Sequence, residues 1–70
     1  MAEIKAMMAG NVWKIIVQVG DEVTVGQQVA ILESMKMEIS IEAASSGTVT
    51  AILKEEGEFV NEGDVLMEMT

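Results

Sequence analysis

The sequence predicts an all-β fold made of two similar halves, on three observations. Valine, isoleucine and threonine supply 20 of the 70 residues, and proline is absent. Branched side chains of this kind suit the pleated, half-buried surface of a strand. The chain also repeats itself: displaced by 37 positions, Glu3–Glu33 falls on Ser40–Thr70, and Gly10, Gly20 and Gly26 fall on Gly47, Gly57 and Gly63. Glycine marks places where the backbone takes a positive φ or passes close to another chain, so matched glycines imply matched turns. Finally, Met37, Ile39, Ile41 and Ala43 alternate with Glu38, Ser40 and Glu42, a period of two that marks a strand.

The same displacement lays Ile4 on Ile41, Ala6 on Ala43, Val12 on Val49, Ile15 on Ile52 and Val23 on Val60. Two copies are too few for a solenoid, which buries a continuous core only with three or more repeats. They are expected to pack on each other about an approximate two-fold axis, as one domain over residues 1–70. Ser34–Ile39 is left over between them, with Lys36 in its middle. The join then lies at one end of the body and both termini at the other.

Taken in order, Glu3–Met8 reads as a first strand. Asn11–Val19 is a second, with Trp13, Ile15, Val17 and Val19 on one face and Val12, Lys14, Ile16 and Gln18 on the other. Neither face is clearly polar, so periodicity leaves the inward face open. Gly20-Asp21-Glu22 is a turn, Val23–Val25 a short strand, and Gly26-Gln27 a second turn into a strand at Gln28–Glu33. A helix competes over Val29–Ala44, whose Ala, Leu, Glu, Met and Lys are good helix formers. The alternation after Lys36 favours strand, and the repeat requires Ser40–Ala44 to do what Glu3–Met7 does. The second copy follows suit: Thr48–Lys54, a turn at Glu56-Gly57-Glu58, Phe59–Asn61, a turn at Glu62-Gly63-Asp64, and Val65–Met69.

Composition removes several functions. There is no cysteine and no histidine, which excludes disulfides, thiol chemistry, the usual zinc sites and histidine acid–base catalysis. With no oxidative staple, the cytoplasm is the expected compartment. A net charge of −8, with four lysines and no arginine, opposes nucleic acid and anionic membranes alike. It favours a soluble monomer. No apolar run reaches the 18 or so residues of a membrane span, and Lys14 interrupts Val12–Val19, so no signal peptide is read.

Strands running into and out of Met35-Lys36 make that pair a hairpin tip. Two-residue hairpins favour Asn-Gly or another glycine, because the central residues take positive φ. This chain places glycine at its other turns and withholds it here, and a local rule broken at one exposed spot is where function is expected. Lys5, Lys14 and Lys54 read as ordinary solvated lysines. Lys36 differs because it lies in the unrepeated link, at a tip, between two methionines with no packing reason to be there. Exposed flexible methionines suit recognition by a partner surface.

Glu33-Ser34-Met35-Lys36-Met37 closely resembles the Glu-Ala-Met-Lys-Met motif of biotinyl domains, the carrier modules of biotin-dependent carboxylases. Gly20-Asp21-Glu22-Val23, Gly26-Gln27 and Val29 resemble the family's lead-in, and Gly57, Val60, Gly63 and Leu66 its second half. The resemblance implies a flattened β-barrel or sandwich of two four-stranded antiparallel sheets with pseudo-two-fold symmetry. It implies biotin joined by an amide to Lys36, added by a biotin protein ligase from biotinyl-adenylate. Met35 and Met37 would be the ligase's address, while Glu33 and Glu38 fit either that role or plain solvated strand ends. A biotin carboxylase and a carboxyltransferase would be the further partners.

Ser34 departs from the usual alanine, a small change expected to be tolerated. The inserted thumb of some bacterial carriers is absent, as is a proline- and alanine-rich linker, so the chain reads as a free-standing carrier or an excised domain. A lysine amine is neutral in only about one molecule in a few thousand at pH 7, and nearby carboxylates such as Glu33 and Glu38 favour the ammonium. Lys36 is therefore a substrate, and the chain is not an enzyme by itself. Two alternatives stand. One is a lipoyl carrier of a 2-oxo acid dehydrogenase complex, modified at the same lysine, although such domains typically present Asp-Lys-Ala at the tip. The other is an unmodified β-sandwich serving as an interaction domain.

Overall fold

The computed structural model describes residues 2–70. Its eight strands are β1 (Ala2–Lys5), β2 (Gly10–Ile15), β3 (Glu22–Val23), β4 (Gln28–Ser34), β5 (Met37–Glu42), β6 (Gly47–Ile52), β7 (Phe59–Val60) and β8 (Val65–Met69). They form two four-stranded sheets, ordered β1-β8-β6-β3 and β5-β4-β2-β7, with every pairing antiparallel. The all-β expectation holds, and Val29–Glu42 is strand, tip and strand rather than helix, with Ala43 and Ala44 just past β5.

The repeat extends to the register of the sheets. Val12 pairs with Leu32 as Val49 pairs with Met69, and Ala30 pairs with Ile41 as Met67 pairs with Ile4. Each partner is displaced by the same 37 positions. Irregularities repeat as well: register shifts at Trp13 and Val29 recur at Thr50 and Leu66. Exchanging β1–β4 with β5–β8 turns one sheet order into the other.

Each half is divided between the sheets, which the repeat alone did not reveal. β1 and β3 of the first half join β8 and β6 of the second, whereas β2 and β4 join β7 and β5. The chain must therefore cross between sheets inside each half, and the crossings end the strands earlier than expected. The strand expected at Glu3–Met8 stops at Lys5. Ala6 still bonds Asp64 and Gly63, then Met7–Ala9 leaves the sheet for β2. The strand expected at Asn11–Val19 stops at Ile15 and that at Thr48–Lys54 at Ile52, for the same reason. β3 is two residues, Glu22–Val23, rather than Val23–Val25, and β7 ends at Val60 rather than Asn61.

Four of the six glycines make the expected turns. In Gln18–Asp21, Thr24–Gln27, Glu55–Glu58 and Asn61–Asp64 the last N–H donates to the first C=O, at 3.0, 3.1, 3.1 and 3.0 Å. Glycine stands third in each with φ between +84° and +97°, as a type II turn requires. The side chain of each fourth residue also accepts from the first residue's N–H, at 2.6–3.1 Å. Gly10 and Gly47 are a correction, since neither lies in a turn. Each opens a strand where a neighbouring backbone passes close: a Cβ on Gly10 would stand 2.8 Å from the Glu33 carbonyl oxygen, and one on Gly47 would strike that of Thr70.

The core also follows the two-fold relation. Ile4/Ile41, Ala6/Ala43, Val12/Val49, Val23/Val60, Val29/Leu66, Ala30/Met67 and Leu32/Met69 are buried as seven equivalent pairs. Val17 is buried without a counterpart, because Lys54 stands at its equivalent. No buried polar side chain occurs among the described residues, so the interior is held by apolar burial, about 1.5–3 kcal/mol for each large side chain. The bulge at Trp13 reverses the alternation along β2, with Val12 inward before it and half-buried Ile15 inward after it, and Val17, beyond the strand, stays on that inward side. That reversal is why neither face of Asn11–Val19 read as polar.

Candidate functional site

β4 and β5 form the longest ladder, from Gln28↔Glu42 to Ser34↔Met37, and Met35-Lys36 closes it as a two-residue tip. Met35 has φ +53° and Lys36 φ +64°, the sole non-glycine residues with positive φ among those described. Positive φ at both central residues is the type I′ hairpin turn, normally built from Asn-Gly. For other L-residues the left-handed region costs roughly 1–2 kcal/mol each. The four glycine turns show that the chain supplies glycine where backbone conformation alone decides. At this tip the side chains are kept and the strain is accepted.

The side chains so kept point to solvent. Lys36 is exposed, Met35 is 91% exposed and Met37, the first residue of β5, is 62% exposed. Among the described residues the ion pair is Lys5–Glu3, at 3.8 Å, so no carboxylate holds the Lys36 ammonium. Glu33 and Glu38 are directly opposed on β4 and β5 and both exposed. Like charges facing each other across a ladder are mildly destabilising. The end of this hairpin is thus tuned for something other than stability.

The structure brings Glu33, Met35 and Lys36 together on one cleft of about 230 Å³, whose other walls are Gly10, Asn11, Ser34 and Phe59. Gly10 fits because its missing Cβ lets β2 run against Glu33 and Ser34, which positions the base of the tip. Met37 is on the tip but does not line this cleft. Asn11 and Phe59 were not expected as site residues. Comparing the halves would have found Phe59, since its equivalent is Glu22.

The described chain ends, Ala2 and Thr70, are remote from the tip. β2 begins beside the tip at Gly10 and runs away from it; beyond its far end, the Gly20 N–H bonds Val49, close to Gly47 and the chain end at Thr70. In a body 31 × 20 × 18 Å, the lysine stands at one pole, and the described chain ends, Ala2 paired with Met69 and Thr70 beside Gly47, lie at the other, as the repeat implied. No helix of the described residues is long and apolar enough to cross a membrane.

Comparison with known proteins agrees with this geometry. A family model described as biotin-requiring enzyme matches residues 2–69. The chain is 58% identical over 67 residues to a biotin/lipoyl attachment protein of Bacillus subtilis, covering 96% of this chain and 92% of that protein. It is 48% identical over 62 residues to a biotin carboxyl carrier protein of Streptococcus mutans, covering 89% of this chain and 48% of that one. Among solved structures, the urea carboxylase of Kluyveromyces lactis superposes with a TM-score of 0.91 at 35% identity, over 99% of this chain and 6% of the enzyme. In that large enzyme and in the streptococcal protein, the matched region is one part of a longer chain. With an exposed hairpin lysine and almost its whole length matched, the chain belongs to the biotin/lipoyl family of attachment domains.

Proposed function

We propose that this chain is a swinging-arm carrier that bears biotin covalently on Lys36 and moves a carboxyl group between a biotin carboxylase and a carboxyltransferase. The observation that carries the reading is the tip: an exposed primary amine on a strained type I′ turn, where glycine would serve the backbone better. Attachment forms an amide between Lys36 Nζ and the biotin carboxyl carbon, with adenylate leaving from biotinyl-adenylate. The ligase supplies the activation, and this chain contributes presentation. An exposed amine with no ion-pair partner among the described residues, on a hairpin anchored by their longest ladder, fits that requirement.

Biotin, once attached, supplies the carboxyl-accepting ring. The protein supplies the tether, which raises the local concentration of that ring at each active site to the order of millimolar. A small rigid body presents the arm without adding disorder of its own. Met35 and Met37 form the ligase's address, with Glu33 a candidate for the same role. A net charge of −8 keeps the carrier monomeric, and freedom from cysteine suits a reducing compartment such as the cytoplasm.

Lipoyl attachment at the same lysine is the second reading, since the name of the Bacillus relative, a biotin/lipoyl attachment protein, covers both groups. The methionines on either side of Lys36 and the carboxylase relatives favour biotin. The test is incubation with biotin protein ligase, biotin and ATP, read by intact mass. The wild-type chain is expected to gain one biotinyl group, and Lys36→Arg to fold normally and gain none. Biotin on the Lys36→Arg variant would overturn the assignment.

A further inference from the structure

The two-fold repeat supplies an internal control for every residue: what the fold requires at one pole, it requires at the other. Glu33, Asn11 and Phe59 are direct cross-strand neighbours on β4, β2 and β7, all exposed on the outer face of one sheet. Their equivalents, 37 positions away, are Thr70, Thr48 and Glu22, likewise neighbours: Thr70, just past β8, exchanges backbone hydrogen bonds with Thr48 on β6, which pairs with Glu22 on β3. Gly10 and Gly47 are shared because both poles need the close approach. Phe59 is not shared. The fold accepts an acidic residue in its place, yet at the lysine pole it carries an aromatic ring that is 60% exposed.

We infer that the cleft formed by Gly10, Asn11, Glu33 and Phe59 is a resting site for the uncharged bicyclic ring of the biotin carried on Lys36. This rests on the proposed attachment. Lys36 lines the cleft itself, so the tether begins at its rim. The chemistry of the walls matches the ring. Phe59 offers an aromatic surface to the ring's hydrocarbon and thioether portion, a favourable sulfur–aromatic contact. The Asn11 amide has both a donor and an acceptor, as a ureido group does in reverse. The Glu33 carboxylate accepts from a ureido N–H and repels an anionic ring. The site therefore holds the arm against the body while the ring is neutral and lets it go when the ring carries negative charge. The equivalent residues at the other pole, Thr70, Thr48 and Glu22, supply neither an aromatic wall nor a lysine.

The test compares amide and side-chain NMR spectra of the full chain before and after enzymatic biotinylation, with mass confirming one biotinyl group. Shifts are expected at Gly10, at Asn11 including its side-chain amide, and at the Phe59 ring, in addition to residues 35–37. Phe59→Glu and Asn11→Thr install residues that the fold already carries at the equivalent positions. Both variants should take up biotin and lose the shifts at Gly10. Shifts confined to residues 34–38 in a fully biotinylated wild-type chain would overturn the resting site and leave attachment intact. Failure to take up biotin at all would overturn both.

Discussion

Replacing the tip by its ideal sequence, Met35→Asn with Lys36→Gly, should make the protein more stable while removing its function. The φ values of +53° and +64° place both residues in the left-handed region. At roughly 1–2 kcal/mol each for an ordinary L-residue, the wild-type tip carries on the order of 2–4 kcal/mol of strain. Neither side chain contributes offsetting burial, since Met35 and Lys36 are both exposed. Glycine gives back about 0.4–1 kcal/mol through the greater freedom of the unfolded chain, and asparagine relieves its position only in part. The net gain is about 1–2 kcal/mol. For a domain of this size each kcal/mol moves Tm by roughly 4–8 °C, so the variant should melt about 4–16 °C higher. Thermal unfolding followed by circular dichroism measures this, and urea unfolding with an unchanged m-value would assign the gain to stability. A Tm equal to or below wild type would refute the argument that the tip gives up stability to display its side chains.

Two further outcomes test how the site is supported. Gly10→Ala would press a Cβ against the Glu33 carbonyl oxygen at 2.8 Å; overpacking of this kind should cost about 1–3 kcal/mol in urea unfolding, and NMR should show the base of the hairpin displaced. A chain cut between Met35 and Lys36 should leave two fragments that are unfolded alone, because within each half only β2–β4 or β6–β8 remain paired, and one isolated strand pair is marginal in water. Mixing the fragments should restore the β-sheet circular dichroism signal, and a folded fragment by itself would contradict the interleaved topology.

The parts of the structure legible in the sequence were those governed by local backbone chemistry. Gly20, Gly26, Gly57 and Gly63 announce type II turns because few other residues adopt their φ. The missing glycine at Met35-Lys36 announced the tip by its absence. The displacement of 37 positions proves to hold in the pairing register too, Val12↔Leu32 matching Val49↔Met69, although no register was read from the sequence. What stayed hidden depends on long-range pairing. Nothing local shows that β1 and β2 belong to different sheets, so the strands were expected to run past Lys5 and Ile15. The bulge at Trp13 defeats period-two reading by turning Val12 and Val17 to the same side despite their odd spacing. Asn11 and Phe59 become neighbours only once β2 and β7 pair.

These features converge on the conformation and exposure of one side chain. Among four lysines, Lys36 alone sits at positive φ, on a two-residue turn and between exposed methionines. Mass mapping of the protein purified from its own cells tests the claim most directly. A single biotinyl group on the peptide containing Lys36, with Lys5, Lys14 and Lys54 unmodified, is the predicted result. A lipoyl group at Lys36, biotin on another lysine, or a wholly unmodified chain in cells that contain active biotin protein ligase would contradict it.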